Sequence, residues 1–211
     1  MPAKPPKAPT AARYDVHPGV AMMKKWADEL PAKTGRDLDR WAKLVATCGI
    51  DARKDRIAWL KNHHGLGTNT AWHIVLYAED RLTWDGDPAV YLAQAVKYVD
   101  GMFAGPKATL RPIFEALVAA ARKLGKDVKV CPCKTIVPFY RKRVFAEVKP
   151  ATRTRVELSF ALAGEPVGGL LKPNPRADEK DRLKHQIHLA TPADATAEVL
   201  GWLKTAYDRD E

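Results

Sequence analysis

Residues 60–75 read LKNHHGLGTNTAWHIV, and Gly65 and Gly67 bracket Leu66 between two segments of helical period. Glycines at that spacing permit positive φ and close approach, so the unbonded N–H groups at the start of the following helix are free to point at a phosphate oxygen. Thr68, Asn69 and Thr70 would add side-chain donors, and Lys61 with His63 would add charge. The same residues also fit a purely structural turn, in which Gly65 closes the first helix, Leu66 packs, and Gly67 lets two helices cross closely. Both readings stand on the sequence alone.

The spacing satisfies a helix-hairpin-helix pattern, L-x-x-x-x-G-h-G-x-x-x-A-x-x-I, at Leu60, Gly65, Leu66, Gly67, Ala71 and Ile74. That pattern implies contact with a nucleic-acid backbone. The formal charge of +10, from 35 Lys and Arg against 25 Asp and Glu, favours polyanionic partners in the same way. Its excess is local: residues 122–155 hold eleven Lys or Arg, with only Asp127 and Glu147 as acids. Arg141, Lys142 and Arg143 lie between two strand-like segments, where a solvated hairpin turn is the plain explanation. Joined with Lys149, Arg153 and Arg155 they would make a basic plate that follows a phosphate backbone.

A third group bears on a pocket. His185 shares the strand phase of Ile187 and Leu189, Lys134 opens another strand, and Tyr140 lies nearby. Together they would border a small-anion or acid–base site, whereas a hydrogen-bonded core histidine is the structural alternative. No catalytic residue is assigned: the chain has no G-x-S-x-G, P-loop or H-E-x-x-H, and Ser159 is its one serine. Cys131 and Cys133 in CPC are two thiols one residue apart, short of the four ligands of a tetrahedral metal site, so neither metal nor cofactor is assigned. Three cysteines cannot all pair, which fits free thiols in a reducing cytoplasm. No apolar run approaches the ~20 residues that cross a bilayer, so no membrane partner is expected.

These candidates need elements to hold them. At 211 residues, with 46% hydrophobic and 28% charged, the chain has room for two small cores. Residues 1–12, rich in Pro, Ala and Lys, read as a disordered basic arm. Residues 13–86 read as a helical domain of four short-looped helices, with Pro31 ending the first, Thr34 capping the second, Asp51 capping the third and Thr68 capping the fourth. Residues 87–211 read as an α+β domain. After two helices the period changes from 3.6 to 2, giving about five strands of an antiparallel sheet packed by helices. In the strand around Val156 the apolar set is Val156, Leu158, Phe160 and Leu162; Arg153, Arg155, Glu157 and Ser159 take the other face. Residues 164–184, rich in Gly, Pro and charge, read as a long loop.

The stretch KTGRDLDRWAKLVATCGIDARKDRIAWLKNHHGLG resembles a small helical bacterial domain of unknown function, through Lys33-Thr34-Gly35, Trp41, Trp59-Leu60-Lys61 and His64 to Gly67. FAGPKATLRPIFEALVAAARKLGKDVKV, KTIVPFYRKRVFAEVKP and WLKTAYD resemble a second domain of unknown function, sometimes labelled a predicted transport protein and commonly joined to the first in this order. The transport label implies membrane segments, which this sequence lacks. The second domain is also distantly similar to double-wing DNA-binding domains through its helix, Lys134-Thr135, FAEVKP, paired strands and final W-L-x-x-A-Y helix, an analogy of fold alone. Cys131, Cys133 and Pro138 depart from that pattern around the Lys-Thr strand. The expectation is a two-domain cytoplasmic protein that binds nucleic acid without sequence preference. The alternatives are a protein-interaction or small-anion module, or an enzyme using the second domain's pocket; oligomeric state is left open.

Overall fold

The computed structural model describes residues 13–79 and 86–211. The arm expected over residues 1–12 lies outside the described residues, and the domain boundary expected near Gly86 adjoins residues 80–85, which do too. The chain forms two compact units, one of residues 18–94 and one of residues 1–17 with 95–211.

The first unit holds α1 (Pro18–Thr34), α2 (Leu38–Ala46), α3 (Arg53–His64), α4 (Thr68–Ala78) and the start of α5 (Pro88–Met102). Leu30, Trp41, Val45, Leu60, Leu66, Ala71, Ile74 and Val75 form its core, with Trp26, Ile57 and Trp59 packed against it. Burying a side chain such as Leu60 contributes roughly 1.5–3 kcal/mol. The helix ends differ from the expected ones. α1 runs through Pro31 to Thr34, because a proline late in a helix removes one donor without preventing a further turn. Asp37, not Thr34, caps α2, its carboxylate accepting from the Arg40 N–H at 2.8 Å. The N-cap of α3 is Ala52 rather than Asp51, and Gly67 rather than Thr68 precedes α4; neither supplies a side-chain cap.

The second unit is α+β. A 3-10 turn, Gly105–Leu110, leads into α6 (Arg111–Leu124), and α7 (Ala197–Asp208) closes the chain. Between them lie β1 (Lys129–Val130), β2 (Val137–Tyr140), β3 (Val144–Pro150), β4 (Val156–Phe160), β5 (Lys172–Pro173) and β6 (His185–Leu189). They form one six-stranded sheet in the order β1-β2-β3-β4-β6-β5, every pairing antiparallel. The sixth strand, β5, lies inside the segment expected to be a loop; its two residues pair with Gln186 and His185. α7 packs on β3, β4 and α6, burying Val199, Leu203, Ala206 and Tyr207. A register shift between Phe139 and Tyr140 marks a bulge against Val144, beside Phe145, whose ring meets Tyr207 edge-on at 5.7 Å.

The alternation read in β4 is present, but both of its faces are covered. Glu157 and Ser159 are as buried as their apolar neighbours. The connection from β4 to β6 returns over this face and sets Arg176 on the Glu157 carboxylate.

Candidate functional site

Two short segments far apart in sequence line one cleft in the helical unit. α1 ends at Lys33-Thr34-Gly35, where Gly35 takes φ 73 and its N–H donates to the Pro31 carbonyl at 2.8 Å. The Thr34 hydroxyl donates to the Leu30 carbonyl and accepts from the Trp41 indole N–H, both at 2.8 Å, tying the end of α1 to α2. Arg36 follows directly. Its guanidinium lies 4.9 Å from the Trp41 ring centroid and has no acidic partner among the described residues.

α3 ends at Gly65, in left-handed conformation with φ 66, its N–H donating to the Lys61 carbonyl at 3.1 Å. Leu66 turns into the core at 8% exposure. Gly67 has φ −64, and a methyl group there would meet no atom within 4 Å. Glycine at position 67 is therefore required neither by φ nor by helix packing, so the close-crossing role has no neighbour to justify it. The first intrahelical bond of α4 runs from the Ala71 N–H to the Gly67 carbonyl at 2.9 Å. The N–H groups of Thr68, Asn69 and Thr70 precede it and lack a side-chain cap.

The resulting cleft, of about 460 Å³, has Trp26, Leu30, Trp41 and Leu66 as its apolar lining. Lys33, Thr34, Arg36, His64 and Thr70 give it polar groups, and Gly65 and Gly67 present backbone. Lys33 is held by Glu29 at 2.6 Å. His64 stands edge-on to Trp59 and Trp41, with its Nε2 buried and unpartnered. Burial first, then the charges of Arg36 and His63, hold its pKa below the ordinary histidine value. His64 is thus a neutral group at pH 7 and Arg36 the open cation. Lys61, Thr68 and Asn69 are exposed but outside the cleft lining.

The basic plate is not one patch. Arg141, Lys142 and Arg143 lie at the start of β3, whereas Arg153 and Arg155 lie past its other end, about 20 Å away at ~3.3 Å per residue. Arg141 donates to Asp127 at 2.9 Å, reaches the Tyr207 carbonyl at 3.3 Å and stacks 4.4 Å from the Tyr207 ring centroid. Arg143 donates its backbone N–H to Asp210 at 2.7 Å and its Nε at 3.3 Å. These two arginines secure the end of α7. Lys142 and Arg153 are exposed, Lys149 is half-buried, and Arg155 stands 3.8 Å from Glu157.

Lys134, Tyr140 and His185 are not brought together. β2 and β6 are separated by β3 and β4, about 14 Å across the sheet at ~4.8 Å per strand. His185 is opposite Phe160 on the helix-packed face, and its Nε2 bonds the Glu165 carbonyl at 2.8 Å. Tyr140 bonds His17 at 3.0 Å, and Lys134 is exposed. Burial pushes the Cys131 and Cys133 thiols up to about 12 and about 11, so both are protonated. Among the described residues no three His, Cys, Asp or Glu side chains converge as a metal site, and no helix is long and apolar enough to cross a membrane.

With both units described, the comparisons place them. The family "Domain of unknown function (DUF5655)" matches residues 99–210, more than half of the 211-residue chain. The chain belongs to that family. The family "Domain of unknown function (DUF4287)" matches residues 23–80, across the helical unit. Searches of curated proteins and of solved structures each returned no match.

Arg36, Trp41 and His64 are the cleft residues that spacing arguments missed. A signal for them existed: one family matches residues 23–80, Arg36 directly follows K-T-G, and His64 opens H-G-L-G.

Proposed function

We propose that the protein binds nucleic acid without sequence preference, by backbone phosphate contacts centred on the turn between α3 and α4. The observation that carries this reading is the uncapped start of α4, Thr68 to Thr70, beside an arginine with no acidic partner and a glycine that packing does not require. A phosphate oxygen there would accept backbone N–H groups at the positive end of a helix and one charge-assisted bond from Arg36. Backbone N–H groups and an arginine guanidinium suit a phosphate oxygen, which carries no sequence information. The net charge of +10 adds long-range attraction. Three free thiols support a cytoplasmic setting.

Fluorescence anisotropy with labelled duplex and single-stranded oligonucleotides of unrelated sequence tests this. Binding should be similar across sequences and should weaken with salt, with a log–log slope of about −0.9 per phosphate contacted on duplex DNA. Absence of binding at about 50 mM salt, or binding indifferent to salt, contradicts the proposal.

A further inference from the structure

The cleft beside the α3–α4 turn is larger than a phosphate needs. Its volume of about 460 Å³ falls within the roughly 300–1,000 Å³ of small-molecule sites, and Trp26, Leu30 and Leu66 give it an apolar wall. A phosphate held at Arg36 leaves that wall unused. The Trp41 indole is closed to a ligand, at 1% exposure and with the Arg36 guanidinium over its ring. Trp26, half-buried, is the indole of the cleft still open to one.

Trp26 belongs to a row of rings. Its centroid lies 5.2 Å from that of His73, and the His73 centroid lies 5.0 Å from that of Trp72, so three rings run side by side from α1 to the outer face of α4. Burial holds the His73 pKa below the ordinary histidine value, which leaves the middle ring neutral at pH 7. Trp72 is 45% exposed, the one aromatic among the large apolar side chains left open in the described residues. Packing against the core of the unit accounts for Trp26, whereas Trp72 has no place in that core. What Trp72 has is position. It follows Thr68 by four residues and Asn69 by three, on the same exposed face of α4, directly behind the uncapped N–H groups.

Phosphate donors with aromatic rings set among them are the two parts of a single-strand site. The donors track the backbone, and every base has a π-face that stacks without regard to sequence. In a blunt duplex the bases are already stacked on one another and leave such rings without a partner.

We propose that the nucleic acid bound at this turn is single-stranded, with one unpaired base in the cleft against Trp26 and a neighbouring base stacked on Trp72. This rests on the phosphate contacts proposed for Arg36 and the start of α4, and assigns the part of the strand that those contacts do not touch. The apolar wall takes the face of the base. The Thr70 hydroxyl, which lines the cleft and has no hydrogen-bond partner among the described residues, is left for its polar edge.

Fluorescence anisotropy of the whole protein with an oligothymidylate and with an abasic strand of the same length tests it, since the abasic strand carries the same phosphates and no bases. Each stacked base contributes about fivefold or more, so the oligothymidylate should bind about thirtyfold tighter than the abasic strand. Trp72→Ala, on an exposed face, should melt as the wild type does and cut that ratio about fivefold, while Trp72→Phe keeps a ring and should retain most of it. Trp26→Ala touches the core and lowers the fraction folded, but the ratio of the two affinities is independent of that fraction and should also fall about fivefold. A wild-type ratio near one, with both strands bound and released by salt, overturns this inference and leaves the phosphate contacts standing. A ratio unchanged in either alanine variant overturns it as well. Binding of neither strand overturns both this inference and the phosphate reading beneath it.

Discussion

The turn joining α3 to α4 and the turn joining β2 to β3 are both rich in groups that suit a phosphate, and they dispose of those groups in opposite ways. The Arg141–Arg143 turn has the greater charge, yet Arg141 is committed to Asp127 and Tyr207, and Arg143 to a fully buried Asp210. The α3–α4 turn has fewer charges, but among the described residues its backbone donors at Thr68, Asn69 and Thr70 have no side-chain cap and the Arg36 guanidinium has no acidic partner. Charge counted along a chain therefore overstates the charge available to a ligand. Internal acids must be subtracted first.

The largest effect should come from breaking the internally committed turn. Asp210→Ala removes the acceptor of the Arg143 N–H and of Arg182, bonded at 2.8 Å, and should cost about 2–3 kcal/mol in urea unfolding. Burial raises the Asp210 pKa, but the Arg143 N–H and the Arg182 guanidinium outweigh it and hold the carboxyl below its ordinary 3.8. Its contribution is present above that unfolded value and is lost as pH falls through the folded one. The stability difference between wild type and Asp210→Ala should accordingly shrink in acid, while DNA affinity at pH 7 stays unchanged in the folded variant.

Arg36→Ala comes next, on the other side of the contrast. Loss of one charge-assisted bond, about 1.5 kcal/mol, should weaken DNA binding about tenfold and make the salt slope shallower by ~0.9. Equal slopes for the two proteins would remove Arg36 from the interface. The glycines then separate: Gly65→Ala, at φ 66, should lower stability by about 1–2 kcal/mol. Gly67→Ala should leave stability near wild type, since a weaker N-cap and a less flexible unfolded chain offset each other at about 0.5–1 kcal/mol. It should still weaken DNA binding, because the methyl group would fill open space beside the turn that a phosphate needs. Lys142→Ala should have the smallest effect, within about 0.5 kcal/mol on stability, with little on binding.

Much of this was readable from residue pattern. The switch from helical to alternating period located the α+β unit, and the spacing of Gly65, Leu66 and Gly67 located the turn. What escaped was tertiary. β5 has only Lys172 and Pro173, too short to alternate, and exists because β6 offers it an edge. The burial of Glu157 and Ser159 depends on where residues 164–184 fold, which strand phase cannot report. His185 and Tyr140 have suitable chemistry, but sheet order sets them two strands apart in between. Arg36 and His64 are 28 positions apart by their numbering, and only the packing of α1 and α2 against the α3–α4 turn makes them neighbours of one cleft.

The most direct measurement is amide NMR of the whole protein titrated with a short DNA duplex at low salt. Shifts should concentrate at the N–H groups of Thr68, Asn69 and Thr70 and at the Arg36 side chain, and should fade as salt is added. Shifts confined to Arg141, Lys142 and Arg143, with α4 unmoved, would contradict the assignment of the interface to the α3–α4 turn.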